Sequence, residues 1–201
     1  MSSFKQKHAR FWAEVFDLFV FLVLVFWIVL FIRLFIGTPY TVIWSSMSPN
    51  FEEKDWIIVE KITQRFGTFD RGDVIVFVAP WKESPYIKRI IWLPWETVLF
   101  QDGDVYICSE NIPAWAAVKD SEWNSCEILP ESYLPEWLKT NAVCGKSEFK
   151  VDEWYFVMGD NRNNSSDSRD PNIGNIKRDQ IIGRAFLRIY PFNKLGLIKH
   201  R

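Results

Sequence analysis

The sequence predicts a mainly β protein: an N-terminal transmembrane helix followed by a domain of antiparallel β-sheet. Three observations carry that prediction. No residue from Leu18 to Ile32 is charged, and the apolar run resumes past Arg33 through Leu34, Phe35 and Ile36. Beyond residue 37, short β-branched and aromatic runs recur at close spacing, punctuated by Gly, Pro and Asp. Outside the first segment no long helical periodicity and no internal repeat is visible. With 201 residues, 48% of them hydrophobic, the chain can build one sizeable core, or one core and a modest subdomain. Lys and Arg number 24 against 25 Asp and Glu, so no basic excess points to a nucleic-acid partner.

Taken in order, residues 1–10 form a short N-terminus and 11–36 the membrane anchor. Leu18 to Ile36 is 19 residues, about 28 Å of helix against a hydrocarbon core of about 30 Å. Arg33 can snorkel from near one end, and Asp17 marks the other interface. A cleaved secretory signal is the competing reading, but no small-x-small pattern follows before Gly37-Thr38-Pro39. Lys5, Lys7 and Arg10 precede the segment, whereas Lys54 lies among Glu52, Glu53 and Asp55, so the positive-inside rule leaves the N-terminus cytoplasmic and 37–201 outside.

In that outer part Asp55–Lys61, Gly72–Val78, Tyr86–Ile91, Val98–Ile107 (broken at Asp102-Gly103), Trp154–Met158 and Ile181–Tyr190 read as strands, the last after a turn at Ile182-Gly183. Residues 109–150, with Pro113, Pro130 and Pro135, read as an inserted subdomain or long excursion. Cys108, Cys126 and Cys144 lie on the side where a disulfide persists; three thiols without a nearby histidine make a poor zinc site, so one loop-closing disulfide or none is expected, and no metal.

Lys88 is the residue that asks for a chemical reason. Alternation puts it on one strand face with Tyr86 and Ile90, and Arg89 on the other. Burial there would lower its pKa from about 10.4 and make it a proton acceptor near neutrality. The only histidines are His8 and His200, one on each side of the anchor, which argues against a Ser-His-Asp or Cys-His enzyme. Neither HExxH nor a Gly-rich phosphate loop is present. A lysine base needs a nucleophile, and Trp44-Ser45-Ser46-Met47-Ser48-Pro49 offers serines in an irregular segment, although serine beside proline is ordinarily just a turn. The third element is residues 159–169, GDNRNNSSDSR, with no apolar side chain directly after an apolar strand. It is either a solvated loop or an ion-paired loop that holds its shape beside a site.

In this order behind an anchor, Ser46-Met47-x-Pro49, RGDVIVF at 71–77, YIKRII at 86–91 and GDNRNNSSDSR at 159–169 resemble the type I signal peptidases, membrane-bound serine proteases that remove signal peptides. The resemblance implies a mainly β catalytic domain over 37–201 with a β-rich insertion at about 100–152. It implies Ser46 as nucleophile, Lys88 as general base and Ser165 as a hydrogen-bond partner that orients the lysine amine. Asp160 would pair with Arg89, and Asp167 with Arg169, while Met47 would help shape a groove for small side chains. The expected substrates are signal-peptide-bearing preproteins cut after Ala-x-Ala, with the lipid bilayer and the protein-export machinery as partners, no cofactor, and the bacterial cytoplasmic membrane as location.

Five tryptophans depart from that pattern. Trp44, Trp92, Trp95, Trp137 and Trp154 stand where glycine, or at 44 another small residue, fits better, among 11 in the chain. One explanation is a gene from a lineage that reads UGA as glycine; TGG codons at 44, 92 and 95 would sink it. The other is genuine tryptophan, a residue enriched at membrane interfaces. Two other functions compete: a self-cleaving Ser-Lys repressor, opposed by the anchor, and a catalytically impaired membrane-anchored homologue serving as a binding or scaffold protein, favoured by Trp44.

Overall fold

The computed structural model describes residues 2–33, 37–79, 84–108, 126–141, 148–150 and 153–200. The chain divides into two compact units, Met1–Thr38 and Pro39–Arg201. The first is helix α1, Ser2–Phe31. Its stretch Phe11–Phe31 is 21 residues, long and apolar enough to cross a membrane, and none of it is buried within the protein. A helix satisfies its own backbone polar groups, which hydrocarbon cannot do. Residues 34–36 of the expected anchor lie outside the described residues.

The strands are β1 (Gly37–Thr41), β2 (Trp56–Glu60), β3 (Val74–Val78), β4 (Pro85–Trp92), β5 (Thr97–Gln101), β6 (Asp104–Cys108), β7 (Cys126–Ile128), β8 (Glu148–Lys150), β9 (Phe156–Met158), β10 (Ile181–Tyr190) and β11 (Gly196–Leu197). One short helix, α2 (Ile62–Phe66), follows β2, its Thr63 N–H capped by Glu60 Oε2 at 3.0 Å. Seven strands make one sheet in the order β1-β2-β10-β3-β4-β9, with β11 beside β10, and four make a second in the order β7-β6-β5-β8. The pairings of β2, β3, β4 and β9 to β11 in the first sheet, and all those of the second, are antiparallel.

The last long strand, β10, enters between β2 and β3. Gly183 belongs to it and makes no turn, contrary to the sequence reading. A Cβ at Gly183 would stand 2.0 Å from the Glu60 carbonyl oxygen, and the register slips between Ile181 and Gly183. The reason for glycine is close strand approach at a bulge, which resembles a turn signal in sequence.

The two sheets share a core. Ile91 and Trp92 of β4 and Phe156 of β9 pack with Val98, Phe100, Val105 and Ile107 of β5 and β6. Trp92 is therefore not in a tight turn: it ends β4, fully buried, edge-on to Phe156 with ring centroids 5.6 Å apart. Trp95 is the reverse case, exposed at φ +72° in the β4–β5 connection, a backbone that favours glycine. Trp44 has ordinary extended backbone (φ −119°), and Trp137 and Trp154 are exposed. The second sheet starts at Thr97, with a two-residue turn in which Asp102 and Gly103 both have positive φ, as tight hairpins require. Cys108 and Cys126 are Cα partners across β6 and β7 and form a disulfide. Cys144 lies outside the described residues.

Candidate active site

Three backbone pieces converge. Ser45–Met47 form a 3₁₀ turn after β1. Ile75 of β3 pairs with Lys88, and Arg89 pairs with Val74 on one side and Met158 of β9 on the other. The polar loop 159–169 leaves the end of β9. Because β4 lies between two neighbours, both of its cations are buried: Lys88 is 2% and Arg89 1% exposed.

Lys88 Nζ donates to Ser46 Oγ at 2.6 Å and to the Ile87 carbonyl at 2.9 Å. Burial lowers its pKa to about 8, against the opposing pull of the Asp167 and Asp160 carboxylates. Desolvation outweighs the two carboxylates because they are already committed to arginines. Arg89 donates from Nε and Nη2 to both oxygens of Asp160, at 2.8 and 2.7 Å, with neither side chain more than 1% exposed. Asn50 Nδ2 adds a third bond to Asp160 at 2.8 Å. Asp167 accepts from Arg169 at 2.8 and 2.9 Å and from the Gly159 N–H at 3.1 Å. Loop 159–169 is thus ion-paired, with Asp160, Arg162, Asp167, Ser168 and Arg169 buried and Asn163, Asn164 and Ser166 exposed at its middle, which favours the shape-holding reading of it over a wholly solvated loop.

Two expectations are corrected. Ser165 does not hydrogen-bond the lysine: its Oγ is buried without a partner. It packs instead against Gly159, where a Cβ would stand 2.3 Å from both Ser165 Oγ and the Ser46 carbonyl oxygen. Met47 does not face a groove. It is fully buried with Val42, Phe51, Ile57, Val59, Val74, Val76 and Ala185, because its turn aims it into the core beneath the serine.

Sequence reasoning missed a second cluster. Arg162 is 1% exposed. It donates to both carboxylate oxygens of Glu131 and, at 3.1 Å, to the Tyr133 hydroxyl, while its Nε holds the Gly159 carbonyl at 3.1 Å. The Tyr133 ring lies 4.0 Å from the Arg89 guanidinium, and burial raises the pKa of its hydroxyl. Glu131 and Tyr133 come from the connection between β7 and β8, 31 and 29 residues from Arg162, so no local pattern could reveal them.

Ser46, Lys88, Trp44, Tyr86 and Ser165 line an open cleft of about 570 Å³. A smaller hollow of about 50 Å³ adjoins it, walled by Val42, Ile43, Ile57, Val76 and Ile87 and also reaching Ser46 and Lys88. Among the described residues no group of three or more His, Cys, Asp or Glu could hold a metal ion. Chemically, the site pairs a hydroxyl with an amine that sheds its proton readily, beside an apolar hollow the size of a very small side chain.

Residues 15–190 match the family model described as signal peptidase, peptidase S26. Signal peptidase I S of Bacillus subtilis is 33% identical over 194 residues, covering 95% of this chain and 94% of that protein. Signal peptidase I of Bacillus licheniformis is 33% identical over 173 residues, 83% of each. A crystal structure of a signal peptidase I from Enterococcus faecalis is 31% identical and covers 58% of this chain and 96% of that one, at a TM-score of 0.36.

Proposed function

The chain belongs to the signal peptidase family, peptidase S26, and from that premise we propose that it is a membrane-anchored serine endopeptidase that removes signal peptides from exported preproteins through a Ser46–Lys88 dyad. The observation that carries the dyad is the 2.6 Å contact between Lys88 Nζ and Ser46 Oγ in a nearly dry setting. With Lys88 neutral the bond reverses, and the Ser46 hydroxyl donates to the free lone pair. As Oγ attacks the scissile carbonyl, Nζ takes its proton and then delivers it to the leaving amine. An acyl-enzyme remains. Lys88, neutral again, draws a proton from the water that attacks the acyl group and returns it to Ser46 Oγ as the ester bond breaks. The Ser46 backbone N–H serves as donor to the oxyanion.

Small-x-small specificity is supported by the hollow of about 50 Å³ beside Ser46. Its walls are apolar and its volume is small beside the cleft of about 570 Å³, which suits small side chains over large ones. Asp160–Arg89 and Asp167–Arg169 hold loop 159–169 against the dyad, and Ser165 fills the space beside the amine. In this reading Phe11–Phe31 spans the cytoplasmic membrane with its basic N-terminus inside, which puts the dyad on the side where signal peptides emerge.

The test is to incubate the detergent-solubilised full chain with a preprotein carrying an Ala-x-Ala site, beside a Ser46→Ala control, and to sequence the product's N-terminus. Cleavage after the final alanine, absent from the control, is the expected result. A control that cleaves as fast as the wild type removes Ser46 from the mechanism, and no cleavage by either protein favours the scaffold role.

A further inference from the structure

Asn161 is bonded to the nucleophile's backbone on both sides, and neither bond belongs to the dyad. Its side-chain Nδ2 donates to the Ser45 carbonyl at 3.1 Å, and its own N–H donates to the Ser46 carbonyl at 3.0 Å. The first bond matters chemically. The Ser45 carbonyl and the Ser46 N–H are the two ends of one peptide unit, which is planar and trans, so they point in opposite directions. Whatever fixes the carbonyl aims the N–H.

We propose that Asn161 is a positioning residue for the oxyanion donor: by holding the Ser45 carbonyl it keeps the Ser46 N–H aimed at the developing negative charge. The inference rests on the Ser46 reading above. The Ser45 carbonyl has a second donor, the Ser48 N–H at 3.0 Å, but that bond lies within the same short turn and moves with it. Asn161 anchors the turn from outside. It follows Asp160, whose carboxylate is locked to Arg89, and Arg89 is the chain neighbour of Lys88. Base and oxyanion donor are thereby referred to one rigid piece, β4, through Arg89, Asp160 and Asn161. Both of its bonds go to the backbone of the nucleophile's turn, so the role argued for it is through the peptide.

A preorganised oxyanion donor contributes only when charge develops, so its loss of aim appears in kcat and not in ground-state binding. The experiment compares the full-length wild type with Asn161→Ala and with Asn161→Leu, which keeps the bulk and the backbone N–H but has no amide. Each is assayed on a preprotein peptide across pH and titrated with a peptide aldehyde, which forms a tetrahedral adduct on a serine. The expected result is a fall in kcat of about 10- to 100-fold, since a full oxyanion donor is worth about 10²- to 10³-fold. KM should stay within about twofold and the pH midpoint should not move. Aldehyde affinity should fall in step with kcat.

Either variant cleaving at the wild-type rate overturns the proposal. So does a loss that sits in KM, or one that moves the pH midpoint, because these report a distorted cleft or a disturbed Lys88. Should Ala prevent folding, Leu carries the test. The underlying reading fails separately: if Ser46→Ala still cleaves and still binds the aldehyde as tightly as the wild type, Ser46 is not the nucleophile, and the role of Asn161 falls with it.

Discussion

The two sheets solve the problem of stability with different chemistry. Around the seven-stranded sheet the protein buries Lys88, Arg89, Asp160, Arg162, Asp167 and Arg169. In the four-stranded sheet and its connections the buried polar residues among those described are Thr97 and Thr140, and closure comes from the Cys108–Cys126 disulfide and edge-to-face aromatic contacts. Buried charges are costly unless paired and hydrogen-bonded, and an apolar replacement of a whole pair is often at least as stable. Asp55, Glu60 and Asp73 are buried beside the same sheet and pair with Arg188 and Arg184; the six named above are explained by what they hold in place. The carboxylates fix loop 159–169 while Lys88, the one cation in the group with no carboxylate of its own, is left able to lose its proton. The subdomain has no such task and uses cheaper means. The two regions meet where Glu131 and Tyr133 reach over to Arg162 and Arg89.

The sharpest way to break this contrast is to make Lys88 permanently charged. Lys88→Arg keeps a cation but cannot deprotonate, and should reduce cleavage by at least about 10³-fold, the scale seen when one member of a catalytic unit is removed. The wild type supplies the matching pH test. In the proposed mechanism the neutral amine is the active form, so kcat/KM should rise about tenfold per pH unit and level off above pH about 8, the value to which burial lowers Lys88. A flat profile between pH 6 and 9 would remove Lys88 as the base.

Next in size is Asp160→Asn. It strands Arg89, 1% exposed, without its counter-charge, and should cost about 3–5 kcal/mol of stability in a denaturant melt. A loss below about 1 kcal/mol would mean that the pair is dispensable. Replacing Cys108 and Cys126 together by serine should cost about 3 kcal/mol for a closed loop of this size. The contrast between regions predicts where: amide protection should fall in β6 and β7, while the cleavage rate stays within about twofold. Equal loss of protection in β4 would show that the sheets unfold as one. The smallest effect is Trp95→Gly, which relieves a left-handed backbone and should gain about 1 kcal/mol. An unchanged or lower melting temperature would count against a glycine-favouring site. Of the five unusual tryptophans, Trp95 is the one whose backbone supports a glycine there, and a TGA codon at that position would account for it.

How legible each part was in the sequence follows from the range of the forces that set it. The strand character of 86–91 and the opposition of Lys88 and Arg89 are local, fixed by period-two alternation, and both were readable. The short polar run at 159–169 announced itself by composition, but its charge partners did not. Glu131 and Tyr133 meet Arg162 across about thirty residues, and Asn50 meets Asp160 across 110. The errors have the same origin. From their neighbours in the chain Gly183 reads as a turn residue and Trp92 as a glycine position, whereas strand β2 decides the first and the β5–β6 face the second. Ser165 was assigned a bond to Lys88, which the amine makes instead with Ser46 and the Ile87 carbonyl.

The position of β10 has a consequence in time. Residues synthesised early carry the proposed nucleophile before β2, and those after them the proposed base on β4, yet in the sheet the β1-β2 and β3-β4 halves are joined only by a strand made near the end. At about 5–20 residues per second the ribosome needs several seconds to pass from Ser46 to Tyr190. Through that interval the Ser46 turn and β4 have the Lys88 and Asn161 bonds to draw on but not the strand that joins their halves of the sheet. A chain stopped before Ile181 should be inert towards the preprotein even with Ser46, Lys88 and Ser165 all present, and cleavage by it would show that the halves find each other unaided.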